Sequence, residues 1–166
     1  MLSIAAAVIL AAESKIGVRE LGGSNQGSGL QPFFDADNYD PNGSAPGDSG
    51  YAWCAAFICW CVKTAVAGRR ITFNRPRTPS AWGLENWSRA QDNSTETLAL
   101  PGEDISRGDI VVYRFSHVGI AASAPDYTGY FWAVEGNTNE EGSREGDGVY
   151  RKRRHISQVR SRIRFR

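Results

Sequence analysis

The sequence is poor in the side chains that bind transition metals, with three cysteines and two histidines among 166 residues. All three cysteines, Cys54, Cys59 and Cys61, lie in one apolar stretch, GYAWCAAFICWCVKTAVAG, from 50 to 68. Structural zinc sites draw on pairs of ligands such as Cys-x₂-Cys, and the chain has no such pair. We therefore expect no structural metal centre built from thiolates and imidazoles.

A disulfide within this stretch is also disfavoured. On a helix, Cys54 and Cys61 are separated by about 10 Å of rise, whereas the Cα atoms of a disulfide lie within about 7 Å of each other. Cys59 and Cys61 point in different directions. The remaining alternatives are a packed helix with inert thiols, or one reactive thiol accompanied by two buried ones.

Long hydrophobic runs are absent too, and none reaches the roughly 18 residues that a membrane-spanning helix needs. The N-terminal segment MLSIAAAVILAAESK has the length of a secretion signal, but no Lys or Arg precedes its apolar run. Its apolar residues fall on one helical face. The pattern favours an amphipathic first helix over a cleaved signal.

The composition is that of an ordinary globular protein, with 41% hydrophobic and 22% charged residues and a net charge of +1. Eight of the 19 Lys and Arg residues lie in RKRRHISQVRSRIRFR, from 151 to 166. Residues 1 to 150 therefore carry 11 basic and 18 acidic residues, a net charge of −7. The length suits one domain, which we expect to span residues 1–166.

Hydrophobic periodicity changes from helical in the first half to alternating in the second. It predicts helices at 2–16, 53–67 and 78–91, with Thr78 and Pro79 opening the third, and strands at 109–115, 117–123, 130–137 and 159–166. Helices followed by strands indicate an α+β fold, in which N-terminal helices pack on an antiparallel sheet. Residues 35–50 are predicted to form a surface loop.

Cys54 differs from the other two cysteines because it falls in the first turn of the predicted helix. Unpaired backbone N–H groups and the positive end of the helix dipole favour a thiolate at that position. His117 opens a predicted strand, and a hairpin about APDYTG brings it opposite Glu135, Gly136 or Asn137. Cysteine, histidine and an orienting polar group are the components of covalent acyl transfer. His155 is a poor alternative base because it lies within the basic tail.

Five segments together resemble a known family: GGSNQG, YAWCAAFICWC, RGDIVVY, HVGIA and VEGNTNEEGSREGDGVYRKRR. In this order they are similar to a CHAP domain, a cysteine- and histidine-dependent amidohydrolase/peptidase of bacteria and phages. The resemblance implies a papain-like, NlpC-type fold and hydrolysis of peptidoglycan. It runs from about residue 4 to the end of the chain, so the first helix belongs to the domain.

The resemblance implies a role for each of four residues. Cys54 is expected to be the nucleophile, His117 the general base, Glu135 the group that orients the imidazole, and Asn137 an assisting group. No Gln or Asn occurs in GDSGYAW, the segment where papain-like enzymes place an oxyanion-hole amide. We therefore expect the Cys54 N–H and a group near Tyr51 to serve instead, with Tyr51, Trp53 and Trp82 as substrate-binding walls.

Expectations for cofactors follow from the same resemblance, and those for partners follow from it and from the charge pattern. We expect no obligatory cofactor, and a calcium site at Asp35 and Asp37 is the minor alternative to a plain surface loop. Beyond peptidoglycan, the alternating arginines of 159–166 could attract anionic wall polymers, or could protect an edge strand. Nucleic acid is disfavoured because no aromatic stacking pattern accompanies them. We expect a monomer acting in the cell wall or periplasm, and a cognate inhibitor or immunity protein is compatible with a toxin role.

Two other functions remain open from the sequence. One is a non-catalytic wall-binding or phage structural module that retains the fold. The other is a transglutaminase-like acyl transferase, which would use the same covalent intermediate but release it to an amine. Neither the bond cut, whether by an amidase or by an endopeptidase, nor the target organism follows from the residues.

Overall fold

The structure is a computed structural model, which describes residues 1–39, 50–91, 94–99 and 104–166, without the side chains of 98 and 99. Within these ranges the helices are α1 (Ile4–Glu13), α2 (Gln31–Asp37), α3 (Cys54–Val66) and α4 (Ala81–Arg89). The helix α1 begins where the Ser3 side chain accepts a hydrogen bond from the N–H of Ala6. Its buried residues Val8, Ile9 and Ala12 confirm the amphipathic first helix.

Within the described residues, the strands form one antiparallel sheet. They are β1 (Thr95–Ala99), β2 (Ile110–Tyr113), β3 (Val118–Ala121), β4 (Tyr130–Thr138), β5 (Gly148–His155) and β6 (Val159–Phe165), in the spatial order β1-β6-β2-β3-β4-β5. A 3₁₀ turn, Ile156–Gln158, joins β5 to β6. The predicted α+β class, with helices packed on an antiparallel sheet, is confirmed.

The main core lies between the helices and one face of the sheet. The helix α3 is its centre, since ten of its 13 residues are buried, as expected for a helix that is apolar on nearly every side. It packs on sheet residues that include Val118, Ile120 and Val134. A smaller cluster with Val111, Tyr113 and Phe131 covers part of the opposite face. Both faces of the central strands are therefore buried.

The prediction that the arginine-rich C-terminal strand lies at an edge is wrong. The strand β6 lies between β1 and β2, and Arg162 is only 2% exposed. Its guanidinium binds the carboxylates of Glu96 and Asp104, and Arg164 binds Asp109. Because interior strands cannot leave charges unpaired, these arginines neutralise acids of the chain itself. Binding of anionic polymers by this strand stays a prediction.

Three elements were not predicted: α2, β1 and β5. The helix predicted at 78–91 exists but begins at Ala81, because Ser80 rather than Thr78 caps it and accepts from the N–H of Gly83 at 3.1 Å. Thr78 instead accepts a hydrogen bond from the N–H of Ser80. Of the loop predicted at 35–50, residues 35–37 instead belong to α2, and residues 40–49 lie outside the described ranges. None of the described helices is long and apolar enough to cross a membrane.

Candidate functional site

Cys54 is the first residue of α3, as the sequence predicted. The residue before it, Trp53, gives the helix no side-chain cap, and its carbonyl accepts the N–H of Phe57 at 2.9 Å. The N–H groups of the first turn, Cys54 included, therefore lack helical acceptors, so they favour negative charge at the Cys54 sulfur. The residue is 6% exposed, whereas Cys59 and Cys61 are fully buried.

A glycine on β4 brings the start of α3 close to the sheet. A Cβ atom at Gly136 would lie 2.8 Å from the Cβ of Phe57 and from Cζ3 of Trp53, which is closer than such atoms approach. Only a residue without a side chain allows the helix to pack at this distance. The position of Cys54 over the end of the sheet depends on this contact.

His117 comes from the tight hairpin that joins β2 to β3. The N–H of Tyr113 donates to the carbonyl of His117 at 2.9 Å, and Ser116 adopts a left-handed backbone conformation with φ of 58°. The imidazole lies nearly parallel to the rings of Tyr113 and Phe115, with centroids 5.9 Å from each. The side chain of His117 is completely buried, so its orientation is held by packing.

Glu135 on β4 holds one nitrogen of this imidazole. Its Oε2 atom lies 3.0 Å from Nε2 of His117, and both side chains are completely buried. In the β3–β4 pairing Ile120 faces Val134, so Gly119 is the neighbour across from Glu135. A Cβ at Gly119 would lie 2.7 Å from Cγ of Glu135. The glutamate therefore occupies the space that a side chain at Gly119 would fill, and from there it reaches His117 diagonally.

Arg154 on β5 binds the same carboxylate in a bidentate manner. Its Nε donates to Oε1 of Glu135 at 2.8 Å, and its Nη2 donates to Oε2 at 2.6 Å. This contact was not predicted from the sequence, in which Arg154 is one of a run of basic residues. Strand pairing alone does not reveal it, because Arg154 is paired with Phe131 and its long side chain reaches Glu135 along the strands.

These contacts shift the protonation of the buried pair. Burial lowers the pKa of His117, but the Cys54 thiol and the Glu135 carboxylate outweigh it and raise the pKa to about 9. For Glu135, burial raises the pKa, but Arg154 and His117 outweigh it and lower the pKa to about 2. An ionised Glu135 beneath a protonated His117 is thus the favoured state at neutral pH.

The second ring nitrogen of His117 is left for the cysteine. Nδ1 makes no hydrogen bond of good geometry among the described residues, although the Cys54 thiol is near enough to raise the pKa of the ring. Such an arrangement can stabilise a thiolate next to an imidazolium, and can then pass a proton from the ring to a leaving group. Burial raises the pKa of Cys59 to about 12, so that thiol is inert.

Asn137, which was expected to assist His117, makes no hydrogen bond to it among the described residues, and the assisting role stays a prediction. With its amide oriented to satisfy both partners, it donates to the carbonyl of Gly146 at 2.9 Å and accepts from the N–H of Trp53 at 3.3 Å. The strand pairing shifts between Glu135 and Thr138, and Asn137 has a φ of 56°. This bulge turns Asn137 away from the face of Glu135 and toward the start of α3.

A groove of about 730 Å³ opens beside the start of α3. Gly50, Tyr51 and Asn137 contribute to its wall, together with the carboxylate-bearing residues Glu20, Glu140, Glu141, Glu145 and Asp147. The hydroxyl of Tyr51 donates to Oδ2 of Asp37 at 2.7 Å, so this hydroxyl is not aimed at Cys54. Tyr51 thus lines the groove, with its ring held against Phe34, and its contact with a substrate stays a prediction.

The two tryptophans expected as substrate-binding walls do not line this groove. Trp53 is completely buried, stacks on Phe33 with centroids 5.6 Å apart, and donates from Nε1 to Glu20 at 2.9 Å. It is a core residue that supports the start of α3, so the expectation for it is wrong. Trp82 is 43% exposed on α4, where the Arg160 guanidinium lies 4.7 Å from its ring centroid.

The calcium ligands suggested by the sequence do not converge. Asp35 and Asp37 are two residues apart on α2 and so point in different directions. Asp37 is 2% exposed and accepts from Tyr51 and from the N–H of Tyr39, while Asp35 accepts from Gln31. Among the described residues no three carboxylate, imidazole or thiol groups cluster to hold a metal ion. As placed, these two aspartates point to different partners, and calcium binding by them stays a prediction.

Comparisons with known proteins identify the family of the sequence and a similar fold. The family model of the CHAP domain matches residues 46–137, which include Cys54, His117, Glu135 and Asn137. Among curated proteins, none matches the sequence. The fold is similar to the crystal structure of a wild-type endolysin, LysIME-EF1, with a TM-score of 0.57 and 14% sequence identity. The similarity covers 99% of this chain but only 64% of the endolysin chain.

Proposed function

The chain belongs to the CHAP domain family, and on that premise we propose that it is a cysteine hydrolase acting on an amide bond of peptidoglycan. The observation that supports the proposal is the buried contact between His117 and Glu135, with the Cys54 thiol near enough to raise the pKa of the same ring. A buried carboxylate on one ring nitrogen and a thiol acting on the same ring is the arrangement that covalent acyl transfer requires.

The proposed reaction proceeds through an acyl-enzyme. The Cys54 thiolate attacks the carbonyl carbon of the scissile amide and forms a tetrahedral oxyanion. Unpaired backbone N–H groups at the start of α3 stabilise the negative charge as it develops. The His117 imidazolium then donates its proton to the leaving amine, and the C–N bond breaks. Water, deprotonated by His117, hydrolyses the thioester and regenerates Cys54.

The acidic groove supports a peptide as the substrate. It adjoins the start of α3 and is large enough for several residues of an extended chain. Its carboxylates attract the ammonium groups that peptides carry, whereas a neutral sugar chain would gain nothing from them. The similarity of the fold to an endolysin supports a cell-wall polymer as the source of that peptide. The bond is either the one that joins sugar to peptide or one within the peptide.

The direct test is hydrolysis of purified sacculi by Cys54→Ala, with Cys59→Ala as the matched control. Both substitutions replace a thiol on α3, but Cys59 is fully buried away from His117. We expect Cys54→Ala to abolish release of soluble fragments and Cys59→Ala to retain it. A Cys54→Ala protein that remains as active as the wild type would refute the proposal.

Mass spectrometry of the released fragments identifies the reaction. New amino and carboxyl ends are expected for hydrolysis, and their position separates an amidase from an endopeptidase. Fragments joined through new amide bonds would instead indicate the acyl transferase. Intact sacculi that nonetheless bind the protein would favour the non-catalytic module.

A further inference from the structure

The Arg154 side chain connects three parts of the site. It binds both oxygens of Glu135, and its Nη2 also donates to the carbonyl of Gly142 at 3.0 Å. Its guanidinium carbon lies 5.2 Å from the ring centroid of Tyr113 and 5.3 Å from that of Phe115, the two rings that stack on His117. The same guanidinium therefore contacts both the carboxylate that binds the imidazole and the two rings that stack on it.

This contact pattern is more than a surface ion pair. The side chain of Arg154 is 7% exposed, and that of Glu135 is completely buried. One hydrogen bond leaves the plane of a carboxylate group loosely defined. A guanidinium fork fixes that plane because it binds both oxygens. The orientation that aims Oε2 of Glu135 at Nε2 of His117 is the one that the fork imposes.

Charge balance gives Arg154 a second effect. When Cys54 is a thiolate and His117 an imidazolium, Arg154, Glu135, His117 and Cys54 carry alternating charges that sum to zero. Tyr113 also packs against this group, and burial raises its pKa well above the usual range, so it stays neutral. Without Arg154 the buried group would carry a net charge of −1 in a medium that solvates charge poorly. It would then take up a proton, either at Glu135 or at the sulfur.

We propose that Arg154 is a positioning residue of this site, which acts through Glu135 to keep His117 oriented and the thiolate–imidazolium pair formed. The inference deepens the proposed function and rests on it for the role of Cys54. Through Gly142, Arg154 also holds the segment that follows β4, and Glu140, Glu141 and Gly146 of this segment line the groove. The same side chain thus supports both the imidazole and the substrate-binding wall.

The test measures alkylation of Cys54 by iodoacetamide as a function of pH, without any cell-wall substrate. We expect Arg154→Gln to raise the pH at which alkylation reaches half its plateau by about one unit or more, as the loss of a neighbouring charge does. Arg154→Lys keeps the charge but loses the fork, and its shift should be smaller. Arg153→Gln is the matched control, since Arg153 is exposed on the same strand and binds Asp126 and Tyr130. It should leave the profile unchanged.

A double-variant cycle separates positioning from a general loss of structure. If Arg154 acts through Glu135, Arg154→Gln should slow alkylation by about 10-fold near neutral pH in the wild type, and by less than about 3-fold in the Glu135→Gln background. Thermal unfolding of each variant identifies those that remain folded. If Arg154→Gln is unfolded, Arg154→Lys takes its place in the cycle. Equal effects in both backgrounds, or a wild-type profile for both Arg154 variants, would overturn the inference.

The outcomes for Arg154 and for the proposed function are separable. If the wild type fails to release fragments from sacculi but the alkylation profile shifts as expected, the proposed substrate is wrong and the role of Arg154 stands. If the wild type hydrolyses sacculi and both Arg154 variants match it in hydrolysis and alkylation, the role of Arg154 is wrong and the proposed function stands.

Discussion

Nε2 of His117 lies 3.0 Å from Oε2 of Glu135 in a part of the molecule that water does not reach. Each group stabilises the charged form of the other, because the attraction between opposite charges outweighs the cost of burial. This contact determines how activity and stability should depend on pH. Substitutions of Glu135 and of its neighbours Gly119 and Asn137 test it.

We expect Glu135→Gln to move the alkaline limb of the pH–activity profile to lower pH. The His117 imidazolium must donate a proton to the leaving group, so activity should fall as pH rises through the His117 pKa of about 9. Removing the anion removes a cause of that raised pKa, and the limb should move down by about one to three units. Glu13→Gln, which removes a carboxylate on α1 that binds Arg107, is the control. An unmoved limb in Glu135→Gln would contradict this assignment.

The free energy of unfolding should be greatest between the two titrations of this pair. The pKa of Glu135 is lowered from 4.5 to about 2, so its contribution is fully present above 4.5 and is lost as pH falls toward 2. The pKa of His117 is raised from 6.5 to about 9, so its contribution is fully present below 6.5 and is lost as pH rises through 9. Urea unfolding from pH 2 to 10 should show a decline of about 1–3 kcal/mol on each side. Both declines should weaken in Glu135→Gln.

Gly119→Ala should reduce activity with the chain still folded. Its new Cβ would lie 2.7 Å from Cγ of Glu135, so the carboxylate must shift away from His117. Overpacking of this kind costs about 1–3 kcal/mol, and we expect hydrolysis to fall by about 10-fold or more because the imidazole loses its partner. Gly29→Ala is the matched control, since its Cβ would meet Val18 at an ordinary 3.4 Å. Activity of Gly119→Ala equal to that of the control would show that Glu135 need not hold this position.

Asn137→Ala should behave differently from Glu135→Gln. The Asn137 amide joins the N–H of Trp53 to the carbonyl of Gly146, so its loss leaves two backbone groups unpaired and costs about 1–3 kcal/mol of stability. Because Asn137 is hydrogen-bonded to Trp53 and Gly146 rather than to His117, the alkaline limb of the pH–activity profile should stay where it is in the wild type. A shift of that limb toward the Glu135→Gln value would instead support the assisting role expected from the family resemblance.

Much of the site could be predicted because its signals are local. The start of α3 is marked by the change from a polar, glycine-rich segment to an apolar one, which placed Cys54 in the first turn. The turn APDYTG marked the hairpin that brings His117 and Glu135 together. Arg154 could not be predicted this way, because its contact with Glu135 follows from side-chain length and the course of two strands rather than from sequence spacing.

Periodicity failed where the environment overrides it. Glu135 and Asn137 share a face in a regular strand, but the bulge before Thr138 separates them. The strand β6 alternates Arg with other residues, a pattern typical of an edge strand. It lies inside the sheet nonetheless, because the carboxylates of Glu96, Asp104 and Asp109 pair with its arginines. Sequence patterns record which residues are polar, but not where their partners lie.

The sequence by itself determined that helices come before strands, that an apolar central helix begins near Cys54, and that the chain resembles the CHAP family. These depend on neighbours along the chain, for which spacing and residue type suffice. Only the tertiary structure decided which groups surround His117, that Trp53 is buried rather than at the groove, and that Arg154 belongs to the site. The reason is that charge pairing and packing are set by distances between residues far apart in sequence, which local patterns do not specify.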